Sequence, residues 1–291
     1  MARGAPRATV RGVADASGIL RSGVKAVAAA TDVVRRPGRG VVVLLYHRVG
    51  RRSTVEVDLA TDEFERQIAW LSSTGRATSL DDALDVLARP DSQQATERTG
   101  GDPVVVTFDD GTADVVEVAM PILHRYGVPA TLFVATDFVE RGIEFPDAGR
   151  PASWSALADG LTSGVLSVGS HTHTHALLDR LPADAVADEL DRSIDLIGAR
   201  LGVAAVDFAY PKAVAGSSPA AAEVRRRFRS ASLGGCRPNR YGATDPHRLQ
   251  RSVVQVSDGW VWFQRKADGG LALEEQLRGL LNRRRYVGRT A

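Results

Sequence analysis

Cysteine is almost missing from this chain: Cys236 is the single one in 291 residues. That excludes an internal disulfide framework and fits a reducing compartment. A lone thiol can be a nucleophile, but a small buried hydrophobe is the simpler reading of Cys236. Long apolar runs are missing as well. None approaches the ~20 residues that span a bilayer as a helix. The apolar stretch nearest the N-terminus, Ala26 to Ala30, falls short of the roughly 7–15 residues of a secretory signal core. The expectation is a protein that stays in the cytoplasm where it is made. A large excess of charge of one sign is also lacking, since the net charge is +2, too little to argue for nucleic acid. What excess exists sits at the ends: residues 1–40 hold eight Lys/Arg against Asp15 and Asp32, and Arg283-Arg284-Arg285 lies near the C-terminus. Such ends suit either peripheral contact with an anionic membrane face or solvated tails.

What is present is ordinary globular composition, 44% hydrophobic and 25% charged, on a chain long enough for one large core. Three segments are expected. Residues 1–40 form a basic extension, with an amphipathic helix between Gly18 and Val34, ended by the breaker cluster Arg35-Arg36-Pro37-Gly38-Arg39-Gly40. Residues 41–265 form a catalytic domain, and 266–291 a C-terminal helix and basic tail. Val41 to Tyr46 is continuously apolar and β-branched, as in a strand buried on both faces. Helical spacing follows at 61–71 and 81–87, then a polar loop at 90–102. Beyond it, strands at 104–108, 130–135, 166–170, 206–210 and 230–233 alternate with helices at 113–126, 154–160, 182–201 and 220–228. That alternation predicts a parallel sheet with helical crossovers, an α/β fold. The number of strands favours a barrel over an open sheet. The polar motifs fall just after strand ends, where parallel α/β folds keep their active sites.

The first such motif is Thr107-Phe108-Asp109-Asp110-Gly111. Gly111 permits a tight turn beside a ligand. Taken alone, one of the two carboxylates would be read as a helix cap. The second motif, His171-Thr172-His173-Thr174-His175, changes that balance, because half of the chain's six histidines lie within these five residues. If the segment turns helically, His171 and His175 point the same way; if it is extended, His173 joins them on one face. Two imidazoles and one carboxylate make the three-ligand, open-site pattern of a catalytic Zn²⁺, and Ni²⁺ or Co²⁺ suits the same donors. The spare carboxylate can then serve as a base toward a bound water, which points to hydrolysis.

TFDDG followed by SHTHTH resembles the first two motifs of the polysaccharide deacetylase family, carbohydrate esterase family 4. The YHRV at 46–49, the FAYPK at 208–212 and the LQR at 249–251 resemble a branch of it, so the likeness covers residues ~41–265. It implies a distorted (β/α) barrel and metal-dependent removal of an N- or O-acetyl group from a sugar. Position by position, Asp109 matches the catalytic base and Asp110, His171 and His175 the metal ligands. Tyr210, followed by Pro211, matches the residue whose backbone N–H helps bind the oxyanion. His47, Trp154, Pro211 and Arg251 fall on the substrate side by the same resemblance, although Trp154 reads equally well as a packed core aromatic. Trp260 and Trp262 offer a sugar-stacking platform, but the apolar run from Val253 to Phe263 points to packing instead. The chain departs from the family pattern in three places. Phe208-Ala209 stand where many members carry arginine, Lys212-Ala213 where the branch carries an aromatic residue and glycine, and no late Leu-x-His supplies a general acid. His47 and His247 are the remaining candidates for that acid. The expected substrate is an N-acetylated amino sugar in a soluble, nucleotide-linked or lipid-linked precursor. The alternatives are amide hydrolysis of a non-sugar compound and a catalytically silent carbohydrate-binding scaffold.

Overall fold

Seven short, largely buried strands pair side by side until the last meets the first. In the computed structural model, which describes residues 38–90 and 101–274 together with 23, 25–29 and 32, they are β1 (Val42–Tyr46), β2 (Val104–Phe108), β3 (Ala130–Val134), β4 (Leu166–Ser170), β5 (Asp207–Ala209), β6 (Ser230–Gly234) and β7 (Leu249–Val253). Consecutive strands are neighbours, and β1 pairs with both β2 and β7, so the sheet is a closed barrel. Every pairing in the ring is parallel. The two-residue strand Ala77–Thr78 pairs with the start of β2 outside the ring.

Parallel neighbours require crossovers, and helices supply those up to β6, while a 3₁₀ turn at Pro246–Arg248 precedes β7 and a last helix follows it. The helices are α1 (Thr61–Ser73), α2 (Leu80–Leu87), α3 (Met120–Tyr126), α4 (Thr136–Arg141), α5 (Trp154–Thr162), α6 (Ala183–Leu201), α7 (Ser218–Arg227) and α8 (Gly259–Ala267). The expected helix at 113–126 is not uniform. Val115–Ala119 is a π-turn, closed by the Met120 N–H donating to the Val115 carbonyl, and regular α-helix begins at Met120. Pro121, which has no N–H to give, lies at that junction. Among the elements that escaped the sequence pattern are α4, which is a turn and a half, and β7, whose sequence is interrupted by a central arginine.

The main core lies between barrel and helices. Tyr46, Phe64 and Phe108 pack with ring centroids 5.3–5.9 Å apart. Trp260 packs edge-on against Trp70 at 5.9 Å, with the Arg66 guanidinium 4.0 Å over its ring, so it is a packing residue, as the apolar run predicted. Inside the barrel space is tight. A Cβ on Gly169 would lie 2.7 Å from the Asp207 carbonyl oxygen and 2.7 Å from the Phe133 ring.

The described part of the N-terminal extension is docked to this barrel. Residues 25–29 are helical, and Lys25 is buried with its Nζ 2.6 Å from Asp258, which Lys266 also contacts at 2.8 Å. Asp32 accepts from the Leu271 N–H at 2.7 Å. Most of the helix expected between Gly18 and Val34, and residues 275–291, lie outside the described residues. Since Lys266 would still cover Asp258, Lys25→Met is expected to cost only about 1–3 kcal/mol, the range for one hydrogen bond to a charged group. A urea titration measures it, and no change in midpoint would show that this contact contributes nothing.

Candidate active site

Asp109, Asp110, His171 and His175 converge at one end of the barrel. Asp109 and Asp110 leave β2, and the turn that carries them is pinned from several directions. The Asp109 N–H donates to the Tyr46 carbonyl, the Ala135 N–H to the Asp110 carbonyl, and the Ala152 N–H to the Gly111 carbonyl. Asp110 itself adopts φ +75° and Gly111 φ +99°, where an added Cβ would press on Val134 at 3.3 Å. Two consecutive left-handed residues turn the carboxylates back over the barrel mouth. Asp114 closes the turn by accepting from the Val49 N–H at 2.6 Å. Arg48, buried and next to His47, donates to the Asp147 carbonyl at 2.9 Å and to the Pro146 carbonyl, which ties down the adjoining loop.

The histidine segment is neither helical nor extended. Thr172 (φ +65°) and His175 (φ +61°) are left-handed, and this reversal brings the rings of His171 and His175 to 5.0 Å. His173 is thrown to the other side, where its Nδ1 pairs with Thr136 Oγ1 at 2.9 Å and its Nε2 lies 3.6 Å from Asp137. His171 and His175 therefore lie together, while His173 faces Thr136 and Asp137. The outer rim is held by Glu189, which accepts from the N–H groups of His173 and Thr174.

Asp110, His171 and His175 each present one ligand atom, and these atoms lie within 4.8 Å of one another. His175 Nε2 is 3.4 Å and His171 Nε2 is 3.7 Å from Asp110 Oδ1. Their chemistry suits a divalent cation. His171 Nδ1 is 2.8 Å from the Ala209 carbonyl, an acceptor only, so Nδ1 carries the proton and Nε2 offers its lone pair. Burial drives the His175 imidazole down to about 3, so it is neutral at pH 7. Burial alone would raise Asp110, but the facing imidazoles and Lys212 outweigh it and hold the carboxyl well below its ordinary value. One imidazole nitrogen from each of His171 and His175 and an ionised carboxylate are donors that suit Zn²⁺, Ni²⁺ or Co²⁺.

Asp109 stands beside this set without belonging to it. Its Oδ2 is 3.7 Å from His171 Nε2. Both its oxygens are gripped by Arg251, at 2.6 Å and 2.7 Å. Burial pushes Asp109 up, yet the guanidinium pulls it below the ordinary carboxylate value, so it is ionised.

Several expected residues take other places. Arg251 was expected against substrate, but its side chain is 0% exposed and is spent on Asp109, so it positions the carboxylate. The Tyr210 N–H donates to the Ser232 carbonyl at 3.1 Å, so the amide expected to hold an oxyanion is already paired in the barrel ladder. Its ring packs on Phe208 at 4.9 Å. Pro211 is buried and starts the turn after β5. Trp154 donates to Glu140 at 2.7 Å and packs on the main core, which makes it a helix-anchoring aromatic and no wall of the site. His247 precedes the N-terminal end of β7, with Nε2 at 2.8 Å from the Phe228 carbonyl and Nδ1 beside Arg225; it is removed from the mouth. His47 is brought in. It follows β1 directly, its buried Nδ1 has no partner, and the charges of Asp110 and Asp109 act on it, although burial lowers its pKa overall.

Comparison with known proteins agrees with this geometry. Residues 96–226 match the family model described as polysaccharide deacetylase. A protein of Bacillus subtilis (strain 168) named "Putative polysaccharide deacetylase YxkH" is 29% identical over 92 residues, 32% of this chain and 30% of its own length, so the match spans less than a third of that relative. Among solved structures, IcaB from Ammonifex degensii is similar with a TM-score of 0.67 and 28% identity over 80% of this chain and 98% of that one. The Streptococcus pyogenes deacetylase PplD, solved with acetate, shares the fold with a TM-score of 0.62 at 21% identity, covering 75% of this chain and 93% of that one. With the barrel closed and both motifs assembled at its mouth, the chain resembles the polysaccharide deacetylase family, whose model it matches over residues 96–226.

Proposed function

We propose that this protein is a metal-dependent hydrolase that removes an N-acetyl, or O-acetyl, group from an amino sugar in a glycan, glycolipid or nucleotide-sugar precursor. One observation carries the reading: an ionised carboxylate, Asp109, held uncoordinated at the edge of a three-donor cation site. When bound there, a divalent cation polarises an acyl carbonyl and acidifies a water. Asp109 Oδ2 faces the site and retains free lone pairs beyond its Arg251 bonds, so it can accept the proton of an attacking water. Arg251 keeps that carboxylate ionised and fixed in direction. The Ala209 carbonyl holds His171 in one tautomer and orientation. For the proton to the leaving nitrogen our candidate is His47, half-buried with an unpartnered Nδ1, and it would have to be charged by the substrate complex, since burial lowers its pKa. A silent scaffold has no use for a base kept ionised in a buried site, which favours the enzyme reading. The place of action we propose is the cytoplasm, with the basic extension available to a membrane face.

The test is to load the protein with Zn²⁺, Ni²⁺ or Co²⁺ in turn, quantify bound metal, and measure acetate release from N-acetylglucosamine and its oligomers. About one ion per chain and metal-dependent acetate release are expected. His171→Ala removes one of three donors and its tautomer lock, so metal content should fall to background. Full metal occupancy in that variant would refute the ligand assignment.

A further inference from the structure

Lysine is scarce in this protein: of 37 basic residues only Lys25, Lys212 and Lys266 are lysines. Lys25 and Lys266 are buried on Asp258. Lys212 is different. It is exposed on the turn after β5, three residues past the Ala209 carbonyl that holds His171. Among the described residues its ammonium has no hydrogen bond and no ion pair. Lys212 has φ +55° and Ala213 φ +57°, a left-handed pair that side-chain-bearing residues disfavour. That turn lies at the C-terminal end of β5, on the rim of the mouth that holds Asp110, His171 and His175, and the charge of Lys212 acts on Asp110, His175 and His47.

The charge balance there is incomplete. Asp109 is neutralised by Arg251, and Asp110 is the one carboxylate for a dication. An ammonium added beside that cation is repelled unless a further anion enters with the substrate. We propose that Lys212 is a specificity-determining residue that binds an anionic substituent, a phosphate or a carboxylate, carried by the acetylated sugar close to the scissile acetyl group. This rests on the deacetylase reading for the reaction but not for the binding preference. A glycosyl phosphate fits a soluble or lipid-linked precursor, and an acidic sugar fits a glycan; the ammonium recognises both through the same charge-assisted hydrogen bond.

The test uses the Zn²⁺-loaded full-length protein and three probes: N-acetylglucosamine, N-acetylglucosamine 1-phosphate and N-acetylmuramic acid. Preference is read as kcat/KM where acetate is released and as Kd by calorimetry where it is not. Absence of acetate would thus sink the proposed reaction without obscuring the result for Lys212. Wild type should favour at least one charged probe over the neutral one by about tenfold to a hundredfold, the span for one hydrogen bond to a charged group. Lys212→Met should bring that ratio close to one and Lys212→Arg should retain most of it. Preference for the phosphate identifies a glycosyl phosphate as the source, and preference for the carboxylate identifies an acidic sugar. No charged preference in wild type, or an equal loss on all three probes in Lys212→Met, overturns the proposal; the latter would instead mark Lys212 as an oxyanion stabiliser.

Discussion

Asp109→Asn is expected to lower kcat for acetate release by about 10²- to 10⁴-fold, the usual contribution of a positioned general base, while bound metal stays at its wild-type level. The separation of the two readouts follows from the geometry. Asp110, His171 and His175 supply the ligand atoms, whereas Asp109 Oδ2 stands 3.7 Å from His171 Nε2 and is tied to Arg251 instead. An amide keeps the shape and one acceptor oxygen for Arg251, but at neutral pH it takes no proton from water. Circular dichroism and metal analysis on the same sample guard against a folding defect. Acetate release within about twofold of wild type would show that the proton goes elsewhere, with His47 the next candidate, and would remove the main support for the proposed mechanism.

The barrel could be read from the sequence because its strands are buried on both faces and so appear as unbroken β-branched runs, as in Val42–Tyr46 and Val104–Phe108. β7 escaped because Arg251 sits inside it. A charged residue in a barrel strand looks like a strand breaker until its partner is known, and that partner, Asp109, lies far away in the chain. The clustering of three possible donors was legible for a related reason: Asp110, His171 and His175 follow strand ends, and closure of the barrel gathers strand ends. The choice between His173 and His175 was not, because it depends on two left-handed residues, Thr172 and His175, that no propensity favours. The Tyr210 amide was misassigned because sequence likeness carries a residue's position but not its hydrogen-bond partner, here the Ser232 carbonyl. Trp154 likewise looks the same whether its indole walls a pocket or anchors a helix through Glu140.

Removing Arg251 should have the largest effect on the fold and the site together. Arg251→Met is expected to destabilise the protein by about 3–5 kcal/mol, the cost of leaving one member of a buried ion pair alone. It should also abolish most of the activity at pH 7. Both effects come from Asp109. In wild type its pKa lies below the ordinary carboxylate value because Arg251 outweighs the effect of burial. Its contribution to stability is therefore complete above the carboxylate range and is lost as pH falls through it. Without the guanidinium, only His171 and His47 still oppose burial, and the folded-state pKa is expected to rise above the unfolded one. The sign then reverses: Asp109 disfavours folding at neutral pH, and the deficit shrinks as pH falls and the carboxyl protonates. Urea unfolding at pH 7 and pH 5 should show the gap between wild type and Arg251→Met narrowing at the lower pH. The acidic limb of the pH–rate profile should move upward over the same interval, because a protonated Asp109 cannot serve as a base. Arg251→Lys, which replaces a planar two-point grip with a single ammonium, should fall between the two. A gap that stays constant or widens toward pH 5 would mean that Arg251 does not control the ionisation of Asp109, and the ion pair would then be a packing feature alone.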